Sequence, residues 1–252
     1  MARQKSILKL EGSIGDVSFY KSGGEYLART KGGVDGDRIK TDPAFARTRE
    51  NGAEFGVAGK ASKLLRTAFK APVAAIADNR VASRLTTQML KVVQSDTVHS
   101  RGERTVQDGN LSLIQGFEFN VNTGLEDVVK AAYSVAFDRV SGEASVTIDF
   151  SNPSLELNQV EGADQAQILI GVAAVDFENN EYEVDVLEAD AVSMASTEAV
   201  LVQQTASVSA NSTRPVFVIV GVMYYQSVND ELYLINSQDS RALALVAVDQ
   251  PE

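Results

Sequence analysis

The run Tyr133-Ser134-Val135-Ala136-Phe137-Asp138-Arg139-Val140-Ser141-Gly142-Glu143-Ala144-Ser145-Val146-Thr147-Ile148-Asp149-Phe150 alternates large apolar residues with small or polar ones on both sides of a turn. Successive side chains of a strand point to opposite faces, so Tyr133, Val135 and Phe137 share a face of the first strand, and Val146, Ile148 and Phe150 share a face of the second. Val140-Ser141-Gly142-Glu143 supplies the hairpin turn between them. Upstream, Leu111 to Val121 places Phe117 and Phe119 in the same alternation and is expected as a strand. Downstream, Ile168 to Phe177 and Tyr182 to Leu187 form a further pair across Glu178-Asn179-Asn180-Glu181. Ala199–Val208, Val216–Tyr225, Leu232–Ile235 and Ala242–Val248 follow. About nine strands at short spacing predict an all-β sandwich region, one large or two small Ig-like sandwiches, over residues 105–252.

The period differs ahead of Asp96. Asp42-Pro43 is a helix start: Asp42 can cap, and Pro43 loses no needed donor at the first helical position. The helix is expected to run to about Lys70, with Ala61, Leu64, Leu65, Ala68 and Phe69 on its apolar side. Gly52, Gly56 and Gly59 each cost such a helix about 1 kcal/mol against alanine, which predicts either a break or the close approach of another backbone. A second helix is expected over Asn79 to Ser95, burying Val81, Leu85, Met89 and Val92. Lys60, Lys63, Arg66, Lys70, Arg80, Arg84 and Lys91 fall away from the apolar stripes and form a candidate basic surface.

Ahead of the helices, Ile7-Leu8-Lys9-Leu10 and Ile14 to Tyr20 read as strands, and Ser22-Gly23-Gly24 turns the chain back into Tyr26-Leu27-Ala28-Arg29. Val17 and Phe19 pack one way, and Ile14 and Tyr20 the other. Gly32 to Asp37 reads as a link; Asp35 and Asp37 lack the full spaced set of oxygen ligands that calcium needs. The expected organisation is thus an α+β fold: residues 1–36 as an arm and link, 37–104 as a basic helical segment, and 105–252 as an acidic β-region.

Residues 1–104 hold 19 Lys/Arg and 11 Asp/Glu, a balance of +8, and residues 105–252 hold 4 and 23, a balance of −19; together they give the net charge of −11. Such asymmetry can steer unlike surfaces of neighbouring copies together or mark a basic segment for nucleic acid. No base-reading module and no aromatics interleaved with the cations accompany it, which places nucleic acid behind self-association.

Catalytic and metal signatures are scarce. There is no cysteine, and His99 is the single histidine, which excludes thiolate chemistry and multi-histidine zinc sites. No Gly-x-Ser-x-Gly elbow is present. Gly56-Val57-Ala58-Gly59-Lys60-Ala61-Ser62 fails as a phosphate loop, because Glu54 stands at the first glycine's position and Ala61 follows the lysine. Asn211-Ser212-Thr213 reads as a polar turn before Pro215. The N-terminus lacks an apolar run of signal-peptide length and Val216–Tyr225 is too short to span a bilayer, so cytosolic synthesis without a membrane span is expected.

Three segments carry a family likeness: Ile7-Leu8-Lys9-Leu10-Glu11-Gly12-Ser13-Ile14-Gly15-Asp16 with Phe19-Tyr20-Lys21; Arg47-Thr48-Arg49-Glu50-Asn51-Gly52-Ala53-Glu54-Phe55-Gly56; and Tyr224-Tyr225-Gln226. On these the chain resembles an uncharacterised family common in Bacteroidota genomes. The resemblance implies a bacterial or bacterial-virus origin and no catalytic residues.

The expectation is a non-enzymatic structural subunit without cofactor. It would join copies of itself into a filament, tube or virion-like shell, in a cytoplasmic or virion-like location. The arm residues Ile14, Val17, Phe19, Tyr20 and Tyr26 would act as connector. A nucleic-acid-associated protein and an adhesin-like binding module are the alternatives.

Overall fold

The computed structural model describes residues 2–30, 32–229, 231–235 and 240–251. The fold is α+β, and the chain divides into two compact units, Met1–Glu50 and Asn51–Glu252.

The first unit is a small antiparallel sheet followed by short helices. Its strands are β1 (Ala2–Arg3), β2 (Gly12–Ile14), β3 (Val17–Ser22) and β4 (Glu25–Thr30), in the order β1-β4-β3-β2. The β3–β4 hairpin closes through Gly23 and Gly24, at φ +59° and +82°, a pair of positive angles that suits a right-twisted two-residue turn. Ile7 to Leu10, expected as a strand, is a loop between β1 and β2. The link is shorter than the sequence suggests. Asp35 caps α1 (Gly36–Thr41) by accepting from the Asp37 N–H at 3.1 Å. Asp42 accepts from the Ala44 N–H at 2.9 Å and caps a 3-10 turn, Pro43–Phe45, from which α2 (Ala46–Ala68) carries the chain into the second unit.

In the second unit α2 is followed by α3 (Lys70–Ile76) and α4 (Val81–Ser95). Phe69 separates α2 from α3, and Pro72 sits in the first turn of α3, where its missing N–H is not needed. Gly52, Gly56 and Gly59 neither break α2 nor meet another backbone: a Cβ at each would have nothing within 4 Å. Leu111 to Val121 is not a strand. Leu111–Ile114 forms a 3-10 turn, and the residues beyond it pair with the sheet only as an isolated bridge, Glu118 to Ala244, flanked by backbone hydrogen bonds of Gly116, Phe117 and Phe119 to Leu243 and Leu245.

The remaining elements are α5 (Leu125–Val128), β5 (Tyr133–Asp138), β6 (Glu143–Phe150), α6 (Pro153–Glu156), β7 (Gln165–Asp176), β8 (Glu181–Glu188), β9 (Val192–Ser193), β10 (Val200–Ser207), β11 (Val216–Val228), β12 (Glu231–Leu234) and β13 (Ala242–Asp249). They make a three-stranded sheet, β10-β6-β5, and a six-stranded sheet centred on β11 and β7. Two cores result. Ile168, Ile170 and Val172 of β7 and Val218, Val220 and Val222 of β11 face Val146, Ile148 and Phe150 of β6. Leu169, Ala173, Phe217, Ile219, Leu243 and Leu245 point the other way, onto Leu65, Phe69, Leu85 and Met89 of the helical segment. The unit is therefore three layers: helices, six-stranded sheet, three-stranded sheet. The helices are not a separate segment beside a sandwich; they cover the outer face of its larger sheet. Burial on both faces is why β7 and β11 read as nearly unbroken apolar runs, whereas β6 alternates.

Two glycines sit at the centre of the large sheet, each opposite a bulky residue: Gly171 pairs Ile219, and Gly221 pairs Leu169. A Cβ on Gly171 would lie 2.8 Å from Ile219 Cγ1 and 3.2 Å from Phe69 Cε1. Gly171→Ala should thus destabilise by about 1–3 kcal/mol through overpacking. Gly56→Ala, in open space on α2, should stabilise by about 1 kcal/mol. Midpoints of urea unfolding would shift in opposite directions for the two variants; a common direction would refute the assigned packing.

Candidate functional site

The candidate site is the sheet of the first unit. Residue pairing fixes its faces. Ile14 pairs Val17, Phe19 pairs Ala28, and Lys21 pairs Tyr26, so Ile14, Val17, Phe19 and Tyr26 lie on one face. Ile14 is thus not on the Tyr20 side, as simple alternation through Gly15-Asp16 would suggest; a turn there folds β2 back onto β3. Tyr20 pairs Leu27 on the opposite face, with the Arg29 guanidinium 5.4 Å from its ring centre. The Lys9 and Lys21 ammonium groups lie 5.9 and 5.3 Å from the Tyr26 ring centre. Both faces therefore carry aromatics and cations.

Among the described residues of this unit, none is buried. Val17, Phe19, Tyr20, Tyr26 and Leu27 are half-covered, and Ile14 is 65% exposed. Ile7 and Leu8 in the β1–β2 loop are 100% and 78% exposed. That loop is tied back locally: the Gln4 side-chain amide accepts from the Leu10 N–H at 2.8 Å and donates to the Leu10 carbonyl at 3.1 Å, Lys9 Nζ donates to the Gln4 carbonyl at 2.5 Å, and the Leu8 N–H donates to Ser6 Oγ at 3.3 Å.

The seven basic residues differ in their settings. Lys60 and Lys63 of α2 line a groove of about 610 Å³ with Val57, Leu64, Phe177 and Tyr182. Lys70, Arg80 and Lys91 are exposed, and Arg66 is half-buried. Arg84 is committed elsewhere. Its Nη2 pairs with Asp78 and donates to the Phe119 carbonyl at 3.0 Å, and its Nη1 donates to the Glu118 carbonyl at 2.7 Å. Arg84 is thus a tie between α4 and residues 117–121.

His99 is likewise structural in its setting. The buried Asp96 carboxylate accepts from the Val98 N–H at 2.7 Å, the His99 N–H at 3.1 Å, the Thr105 N–H at 2.9 Å and His99 Nδ1 at 2.9 Å. Burial alone would raise this carboxyl, but those N–H groups overcome it and hold it lowered. The hydrogen bond to Asp96 in turn raises His99. Asp108 lies near enough for the three side chains to suggest a cation site. However, four donors already occupy the roughly four lone-pair positions of the Asp96 carboxylate, so the cluster ties the loop after α4.

Glu118 escapes the sequence reading because an isolated glutamate in an apolar run has no distinguishing pattern. It borders two cavities, of about 460 and 390 Å³, and its Oε1 accepts from the Leu125 N–H at 3.1 Å. Burial first, then the neighbouring Asp127 and Glu126, push its carboxyl up to about 7.

Among the described residues no helix is long and apolar enough to cross a membrane. No protein-family model matches the chain, and no curated protein matches it. A solved structure concerning pH-induced modulation of Streptococcus parasanguinis adhesion by Fap1 fimbriae is similar over 45% of this chain and 78% of its own, at 8% identity and a TM-score of 0.21. A likeness that low carries no inference about fold or function.

Glu118 gives a pH prediction. Below about pH 4.5, the group's ordinary value, folded and unfolded chains both hold its proton; between 4.5 and about 7 the folded chain holds more of it. Stability from this group therefore falls as pH rises through that window and levels off above it. Glu118→Gln should gain on the parent protein steadily from pH 4.5 to 7, read as unfolding midpoints at each pH. A constant difference across the window would refute the assignment.

Proposed function

We propose that this chain is a non-enzymatic structural subunit that assembles with copies of itself, using its N-terminal sheet as the connector. One observation carries the reading: a four-stranded sheet with apolar residues on both faces and no buried residue among those described. A sheet gains independent stability by packing an apolar face on something, and the open edges of β1 and β2 are templates for a further chain. Contact with a second copy would supply both. The charge division supports the same reading: residues 1–50 hold 10 Lys/Arg and 7 Asp/Glu, a balance of +3, and residues 51–252 hold 13 and 27, a balance of −14, so the first unit of one copy is attracted to the second unit of another. Unlike surfaces joined head to tail give rings or open filaments.

Deleting residues 1–31 removes this sheet and leaves both cores of the second unit. The truncated chain should keep its circular dichroism and lose the polymers that electron microscopy shows for the full chain. Polymers that survive the deletion would sink the connector role. The charge component is read separately: light scattering should report smaller particles as salt shortens the screening length from about 10 Å at 0.1 M to about 3 Å at 1 M. An unchanged size would remove charge pairing as a driving term.

A further inference from the structure

We infer that the exposed Ile7-Leu8-Lys9-Leu10 segment of one copy adds as a strand to the open edge of β12 in the next copy. This rests on the assembly reading above and names the surface that receives the connector.

The receiving edge is lightly protected, and its side chains are exposed along its whole length. β12 ends the six-stranded sheet, and among the described residues it pairs only with β11. All four of its residues are exposed; Leu232, Tyr233 and Leu234 are 43%, 52% and 41% exposed. Natural edges are usually blunted by charges, proline or a bulge, because unpaired N–H and C=O groups invite another strand. The β8 strand, at the opposite end of the same strand order, follows that rule with Glu181, Glu183, Asp185 and Glu188. Between Glu231 and Leu234, β12 has one charge and no proline.

The donor is matched to it. Ile7 to Leu10 is four residues long, as β12 is, and belongs to no strand in this chain; strand addition would exchange the Gln4 side-chain amide, which holds the Leu10 N–H and carbonyl, for a backbone partner. Ile7 and Leu8 are among the most exposed large apolar side chains of the described residues. Lys9 gives the segment one positive charge, whereas β12 carries Glu231 and lies in the acidic part of the chain. Strand addition would satisfy backbone groups through hydrogen bonds and cover alternate side chains. The glycines at 32 and 33, between β4 and α1, give the connector freedom to reach a neighbour.

Because the chain has no cysteine, disulfide trapping can test this without background. Tyr233→Cys protein is mixed under mild oxidation with four separate proteins carrying Ile7→Cys, Leu8→Cys, Lys9→Cys or Leu10→Cys. A strand points alternate residues to opposite faces, and a disulfide needs Cα atoms within about 7 Å. Cross-linked dimers should therefore form at alternate positions, 7 and 9 or 8 and 10, with loss of product at the two between. Equal product at all four positions would show a sticky patch and overturn the strand. So would no product from a protein that still polymerises. Tyr233→Cys cross-linking chiefly to itself would show β12 pairing with β12 instead. Sedimentation of the parent protein separates the two levels: a monomer at every concentration refutes the assembly reading and this inference with it. A polymer without alternation refutes this inference alone. Leu234→Lys, which charges the edge, should also abolish polymers with circular dichroism unchanged.

Discussion

Strands β7 and β11 are covered by apolar side chains on both faces, and most of the second unit follows from that. A strand buried on both faces has no position left for charge, so Ile168 to Val175 and Val216 to Tyr224 contain none. Acidic residues collect instead on β8, on its turn and at strand ends. Coverage of the second face also explains the helices. Leu85, Met89 and Val92 form a stripe at helical spacing because the sheet beneath is apolar, and Phe69 reaches the space that Gly171 leaves open. The pairing of a glycine with a bulky residue, twice and in opposite senses, keeps that interface filled without a clash.

The first unit lacks any such constraint. Full burial of a large apolar side chain contributes about 1.5–3 kcal/mol, while ordering each backbone residue costs about 1–2 kcal/mol. No described residue of the first unit reaches full burial. Its hydrogen bonds and cation–ring contacts are exposed and individually worth little. A further apolar contact would offset the ordering cost, which is the role that the proposed reading gives to another copy of the chain.

Much of this was legible because period reports burial. The hairpin at Tyr133–Phe150, the strand runs after residue 165 and the α4 stripe all appear in the structure, each being one-sided or wholly apolar in the expected way. The misreadings share a cause. Leu111 to Val121 alternates like a strand, yet its backbone bonds to Leu243 and Leu245 only at Gly116, Phe117 and Phe119. Side-chain alternation reports a half-buried extended segment, not a ladder. Arg84 reads as a surface cation because its partners, Asp78 and the carbonyls of residues 118 and 119, are up to 35 residues away. Ile14 is assigned the wrong face because a two-residue turn reverses the chain where simple alternation continues it. Glu118 has no local signature at all; its burial in the fold, and then the three-dimensional closeness of Asp127 and Glu126, make its proton unusual.

The distribution of edges then bears on what kind of assembly is possible. A surface that pairs with itself gives a closed two-fold dimer, whereas two unlike surfaces leave one of each free at every step. The described residues offer unlike surfaces: a basic unit with no buried residue, and an acidic unit whose β8 edge carries four carboxylates and whose β12 edge carries one. Two β8 edges would repel through their carboxylates. The −19 balance of residues 105–252 similarly opposes contact between two β-regions. Like-with-like contacts are thus disfavoured by charge, and contacts of the first unit of one copy with the second unit of another are favoured. Repetition of that contact, with closure set by its rotation, makes a ring or a filament the consistent outcome of the proposed reading.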